Sequence, residues 1–203
     1  MKILSCLCAA ALALSATAAT AKERTVVVVL FDGFSPASLD ATRTPNFDRI
    51  KKDGVWSRHL VPAFPTISLI NHTTFETGCW PSHHGIVSNF FYDPKKGLFP
   101  QSDDAAWRTG CETIWEAAER QGVKSAVFNM IGRWSSTKGK RATTINPDVP
   151  WKDRESDEKV VERGLAALRD NGPNHARLIA LYFPIPDEEA HWNGTTAPKT
   201  EEA

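Results

Sequence analysis

The sequence predicts an α/β fold, a mostly parallel central sheet flanked by helices. Two continuous apolar runs carry this, residues 25–31 (Thr-Val-Val-Val-Val-Leu-Phe) and 177–183 (Arg-Leu-Ile-Ala-Leu-Tyr-Phe). Strands buried on both faces read as unbroken runs rather than as alternations. Between them, helix-like and strand-like stretches alternate, the order that builds parallel sheets with helical crossovers. Both runs also end on turn residues with an acid close behind: Asp32-Gly33 after the first, Pro184-Ile185-Pro186-Asp187 after the second. Ligands of such sheets gather beyond the carboxyl ends of the strands, so Asp32 and Asp187 stand where chemistry happens. Against this, Asp-Gly by itself is ordinary turn chemistry.

Composition excludes several classes. The chain has 203 residues, with 24 Lys+Arg against 24 Asp+Glu. That balance lacks the basic excess of a nucleic-acid backbone binder, so no duplex binding is expected. The length suits one domain with a real core. Residues 1–21 open with Lys2, continue as a short apolar run from Ile3 to Leu14 and end in small residues. This is the pattern of a secretory signal peptide, too short to span a membrane, and it implies a secreted or periplasmic protein. Residues 22–203 are then the mature domain. Export leaves Cys79 and Cys111, which an oxidising compartment would allow to pair. Sequence leaves open whether their Cα atoms approach within the roughly 7 Å that a disulfide needs.

Taken in order, the run at 25–31 reads as a central strand. Thr44-Pro45 starts a helix, with Thr44 as cap and Pro45 at the first helical position. Phe47, Ile50 and Val55 face the core and Gly54 stops it. A second helix is expected from Asn71 to Thr77, after which residues 86–90 return toward the sheet. Residues 112–121 form a helix with Ile114, Trp115 and Ala118 inward and Gly122 as stop. Residues 125–130 are the next strand. Residues 131–154 lack periodicity and read as a long loop without recognisable chemistry. Residues 155–169 make an amphipathic helix with Val160, Val161, Leu165 and Leu168 on one stripe. The run at 177–183 is the last strand.

The chemistry concentrates in residues 62–89. Small hydroxyl residues follow a Pro-rich loop there, and a helix follows them. A hydroxyl in that position, with Asp32 at a strand end, is how a metal hydrolase presents a nucleophile. Ser68 could equally be a helix-cap hydroxyl, and Thr66 is a rival nucleophile. At the other strand end, Asp187 and His191 are four residues apart and can meet on one helical face. Carboxylate plus imidazole suits zinc; an all-oxygen set would suit calcium or magnesium.

Together these landmarks resemble the nucleotide pyrophosphatase/phosphodiesterase branch of the alkaline phosphatase superfamily. The matching pieces are Asp32-Gly33, Thr44-Pro45-Asn46, Phe64-Pro65-Thr66-Ile67-Ser68 and Asn71-His72. Thr77-Gly78 with Pro81, His84-Gly85-Ile86-Val87, Asn89, Tyr92-Asp93-Pro94, and Pro186-Asp187 followed by His191 and Gly194 complete them. The resemblance implies an alkaline phosphatase-like fold and a two-zinc phosphoryl-transfer site acting on a small phosphodiester or nucleotide substrate. It puts Ser68 in the place of the nucleophile, which in this branch is usually Thr, and spacing to Asn71-His72 and Asn89 favours Ser68 over Thr66. It implies that Asp32 and Ser68 bind one zinc, that Asp187 and His191 bind the other, and that the Asn89 amide steadies a phosphate oxygen. It gives His72 and His84 scaffold roles. His59, His83 and His175 match no ligand position, and Trp80 and Trp192 read as packing. Cys79-Trp80-Pro81-Ser82-His83 approximates a sulfatase signature but lacks its Arg.

The resemblance also implies further zinc ligands, an Asp-His pair and another His, from later in the chain. This sequence has no Asp-His dipeptide, so it reads as an N-terminal portion of a phosphodiesterase catalytic domain with an incomplete fold. Two alternatives accompany the phosphodiesterase reading. Ser68 in place of Thr suggests a phosphomonoesterase, and the missing ligands suggest a truncated, non-catalytic exported domain.

Overall fold

The computed structural model describes residues 24–101, 105–108, 110–147 and 149–202, so the signal-peptide pattern at 1–21 lies outside the described residues. The core is organised around β6 (Leu178–Phe183), an apolar strand buried along its whole length. β1 (Val26–Phe31) pairs with it in parallel on one side and β4 (Ser125–Phe128) on the other, and β5 (Thr144–Ile145) completes the order β1-β6-β4-β5. All three pairings are parallel, as the apolar runs require.

β1 departs from expectation. It is the edge of the described sheet rather than a central strand, and Val26, Val27 and Val29 are 56%, 45% and 45% exposed. Its run of valines satisfies the pattern of a doubly covered strand, but composition does not record which neighbours are present. An apolar open edge of this kind is a template for pairing with another strand.

The helices follow their caps more closely than their expected faces. α1 (Pro36–Ala41) is capped by Ser35, whose side chain accepts from the Ser38 N–H. In α2 (Pro45–Asp53) only Phe47 turns inward, toward a ring cluster with Phe31 and Phe34. Ile50 is 61% exposed and Val55 fully so, contrary to the expected core face. α3 (Ser68–Thr77) begins three residues before the expected Asn71. α4 (Pro81–His84) is a single turn. Residues 86–90 do not return to the main sheet. Ile86 joins a separate cluster with Phe99 and Trp107, beside a small hairpin of β2 (Tyr92–Asp93) and β3 (Gly97–Leu98). α5 (Ile114–Arg120) carries a full capping box between Thr113 and Glu116 and buries Trp115, whereas Ile114 is 40% exposed.

α6 (Asp157–Arg169), capped by Ser156, lies over β6 with a face one residue out of step from the expected stripe. Val160 and Gly164 are buried, whereas Val161, Leu165 and Leu168 are more than two-fifths exposed. The reason is close approach: a Cβ on Gly164 would lie 3.0 Å from both Leu181 methyls. A small residue sets the contact line, and a search for large apolar residues misses it. The chain then passes through β6 into α7 (Ile185–Asn193) and the short α8 (Pro198–Glu202).

Two predictions arise from this frame. Cys79, just beyond α3, is joined to Cys111, just before α5, with Cα atoms 6.5 Å apart, which answers the pairing question left open by the sequence. The bridge spans 32 residues, and loop-closure entropy for such a loop gives about 3–4 kcal/mol of stabilisation. A Cys79→Ser/Cys111→Ser variant should therefore unfold at a markedly lower urea midpoint than the oxidised chain; equal midpoints would mean the bridge constrains nothing.

The second concerns Asp157, at the first position of α6. Burial raises its pKa from 3.8 to about 6; Arg154 opposes this, while Glu158 and Glu188 add to it. Between about pH 4 and 6 the folded chain thus holds this proton more tightly than the unfolded one. Its contribution to stability is full at the acid end and falls as pH rises through that window. Asp157→Asn should flatten this part of the curve of urea midpoint against pH. Parallel curves for the two proteins would rule Asp157 out as the cause.

Candidate active site

Parallel pairing brings the ends of β1 and β6 to one level. Phe31 pairs with Phe183, and the Asp32 N–H donates to the Phe183 carbonyl at 3.1 Å. Asp32 therefore emerges beside the start of α7, which carries Asp187. Gly33 makes the closeness possible. It has φ +63°, and a Cβ there would lie 2.6 Å from Asp187 Cα and 2.8 Å from Asp187 Cβ. Only glycine fits both the left-handed conformation and that approach.

Two side chains hold Asp32. Tyr182, the fifth residue of β6, donates its hydroxyl to Oδ2 at 2.9 Å. His72 Nε2 lies 3.6 Å from the same oxygen, and its ring meets Tyr182 edge-on with centroids 4.5 Å apart. Ser68, the first residue of α3, lines a cavity with Asp32. Burial works to raise the Asp32 pKa, but the His72 contact and then the Tyr182 and Ser68 hydroxyls outweigh it and bring it down to about 2. Asp32 is thus a carboxylate at any ordinary pH. Burial and the negative charge of Asp32 push the Tyr182 phenol upward, keeping it a donor.

Asn89 is fixed in one orientation. Its Oδ1 accepts the Leu69 N–H at 2.9 Å, so the amide NH2 is the end left to donate. Asp32, Ser68, Leu69 and Asn89 all line one cavity of about 1040 Å³, together with Tyr182 and Asp187. The first turn of α3 borders it, where the helix dipole favours an anion.

Asp187 and His191 meet as their spacing implies: both lie on α7, with His191 Nε2 3.4 Å from Asp187 Oδ2. Burial first, and then the charge of Asp32, raises the Asp187 pKa. The His191 side chain is 76% exposed and is not part of the cavity lining. Two carboxylates brought together at a cavity would suit a cation. However, no group of three or more His, Cys, Asp or Glu side chains among the described residues could hold a metal ion, whereas a catalytic zinc takes three protein ligands. The zinc sites expected at Asp32/Ser68 and Asp187/His191 are therefore not completed by these residues.

His84 is a scaffold residue. Its Nδ1 accepts the Ile86 N–H at 3.1 Å, so the proton sits on Nε2, 3.1 Å from Thr74 Oγ1. Burial, then Arg108, lowers its pKa to about 4, so it stays neutral. Trp80 and Trp192 do not pack as expected; they are 63% and 86% exposed. Tyr182 was legible only as a strand residue, because nothing local in the sequence pairs it with a carboxylate 150 positions away. The loop at 131–154, without chemistry on sequence grounds, contributes Arg133, Trp134 and Arg141 to the cavity. Its lack of periodicity hid them, although five cationic or aromatic residues among the nine at 133–141 were a usable signal.

A hydroxyl at a helix N-terminus, a neighbouring carboxylate and a donor amide thus stand around one cavity at the carboxyl edge of a parallel sheet, an arrangement able to hold a phosphoryl group. The chain belongs to the type I phosphodiesterase / nucleotide pyrophosphatase family, whose profile matches residues 26–203. It is 34% identical over 186 residues to an uncharacterised pyrophosphatase/phosphodiesterase of Schizosaccharomyces pombe, covering 87% of this chain and 37% of that protein. It is 28% identical over 188 residues to human ectonucleotide pyrophosphatase/phosphodiesterase family member 7, covering 89% and 40%. Among solved structures, human ectonucleotide pyrophosphatase/phosphodiesterase 5 superposes with a TM-score of 0.78 at 27% identity, covering 88% of this chain and 48% of that one. An inactive single-substitution variant of the murine protein, in complex with AMP, superposes with a TM-score of 0.74 at 28% identity, covering 89% and 48%. The chain thus spans less than half the length of these relatives, as the reading of an N-terminal portion implies. Among the described residues no helix is long and apolar enough to cross a membrane.

Proposed function

We propose that this chain carries the nucleophile-bearing part of a hydrolase for phosphodiesters or nucleotide pyrophosphates, and that Ser68 is the nucleophile. The observation that supports it is the seating of Ser68 at the start of α3, in one cavity with an ionised Asp32 and the anchored Asn89. Ser68 Oγ attacks phosphorus, the bond to the departing alcohol or phosphate breaks in line, and the hydroxyl proton leaves with that group or with water. Ser68 is left esterified to the phosphate that keeps the substrate's other arm; water then breaks the Ser68 Oγ–phosphorus bond, releasing that phosphomonoester and restoring the hydroxyl. Asp32 accepts from Ser68 and aims its oxygen, and the Asn89 NH2 donates to a non-bridging oxygen.

Zinc is part of the proposal, as the resemblance implies. Asp32 and Ser68 would contribute donors to one ion and Asp187 and His191 to the second, with the remaining donors lying beyond the described residues. Bound zinc supplies charge that lowers the pKa of a coordinated hydroxyl. The leader at 1–21 and the disulfide fit an exported protein.

The test measures zinc content and hydrolysis on one sample of the chain, with a chromogenic phosphodiester beside the matching monoester. Faster turnover of the diester, with bound zinc, is the expected result. Faster turnover of the monoester would replace this reading with a phosphomonoesterase. No turnover of either would mean that these residues are not a working site on their own.

A further inference from the structure

The cavity lining carries charges of both signs: Asp32, Asp187 and Glu188 on the one hand, and Arg133 and Arg141 from the 131–154 segment on the other. Glu188 is paired with Arg154. Neither Arg133 nor Arg141 makes an ion pair with a carboxylate among the described residues.

Arg133 is half-buried. Its Nη1 donates to the Met130 carbonyl at 3.0 Å, and its Nε is buried with no partner. Arg141 lies over the Trp134 ring at 5.6 Å, a stacking that holds a guanidinium in place without neutralising it. A guanidinium partly removed from water and lacking an acid is costly unless an anion joins it. Guanidinium groups also match phosphate oxygens, which they bind in bidentate fashion. The cavity, at about 1040 Å³, is far larger than one phosphoryl group needs, and about the size of a site for a whole nucleotide-sized ligand.

We infer that Arg133 and Arg141 form an anion subsite, which favours substrates bearing a second negative group next to the phosphoryl that Ser68 attacks. The class it selects is a pyrophosphate-bridged compound, in preference to a diester with two neutral arms. This rests on the reading of Ser68 given above for its place in the reaction, but the subsite can be tested without turnover. The probe is inorganic pyrophosphate, titrated calorimetrically into the full chain with EDTA present, so that no metal bridges the anion.

Wild type should bind, and Arg133→Gln and Arg141→Gln should each weaken binding about tenfold or more, the usual worth of a charged hydrogen bond. Arg141→Lys keeps the charge but loses the fork, and should fall between. Thermal unfolding run beside the titration checks folding. If Arg133→Gln does not fold, the exposed Arg141 carries the test alone. Wild-type binding too weak to detect at millimolar pyrophosphate, or unchanged binding in a folded Arg141→Gln, would overturn the subsite. Failure of hydrolysis with this binding pattern intact would count against Ser68 and not against the arginines.

Discussion

Ser68→Ala should abolish hydrolysis of a phosphodiester while leaving the fold unchanged. Ser68 sits at the first position of α3, where Ile67 rather than Ser68 is the cap residue and no side-chain cap bond is made. Removing the hydroxyl therefore costs the helix little. It does remove the attacking oxygen, and losing a nucleophile drops turnover by several orders of magnitude, on the order of 10⁶ in well-studied serine hydrolases. Mass spectrometry of the quenched wild-type reaction should show Ser68 esterified to the phosphate with its retained ester arm, an adduct absent from the variant. The stability arm guards the interpretation: thermal midpoints within a degree or two, with activity gone, would place the effect on chemistry. Activity within a few-fold of wild type would remove Ser68 from the mechanism and return attention to Thr66 or to direct attack by water.

The second large effect is structural and lies under the cavity. Glu76, near the end of α3, is fully buried; it pairs with Arg108 at 3.2 Å and accepts the Gly132 N–H at 3.0 Å. A Cβ on Gly132 would collide with the Glu76 carboxylate and lie 2.7 Å from Arg108 Nη1. Glu76→Ala removes the carboxylate facing a buried guanidinium, and breaking such a pair typically costs about 3–5 kcal/mol. That is a large share of the roughly 5–15 kcal/mol available to a domain. The urea midpoint should fall accordingly, with a smaller fall for Glu76→Gln, which keeps the shape and part of the hydrogen bonding. Because Gly132 immediately precedes Arg133, the same change should weaken pyrophosphate binding. A midpoint shift below about 1 kcal/mol would mean the pair is near break-even, as buried ion pairs replaced without loss can be.

How much of this was legible beforehand can be traced residue by residue. Asp187 and His191 meet because their spacing is helical and the segment became a helix. Asp32 and Asp187 were each assigned to a strand end by a local pattern, an apolar run followed by turn residues. The strand ends converge because parallel neighbours in register stop together. Contacts set by partners distant in sequence were not legible. His72 sits 3.6 Å from Asp32, and Tyr182 of β6 meets both of them. The inward face of α6 was misread because Gly164, not a large residue, sets its closest approach to Leu181.

The sequence by itself determined the α/β class, the parallel character of the sheet and the family. These depend on periodicity, composition and short ordered motifs, which are local properties of the chain. Only the tertiary structure decided that β1 stands at an open edge, that Cys79 reaches Cys111, that Tyr182 and His72 hold Asp32, and that a loop without periodicity gives the cavity its two arginines. Those facts belong to pairs of residues far apart along the chain, and only folding makes them neighbours.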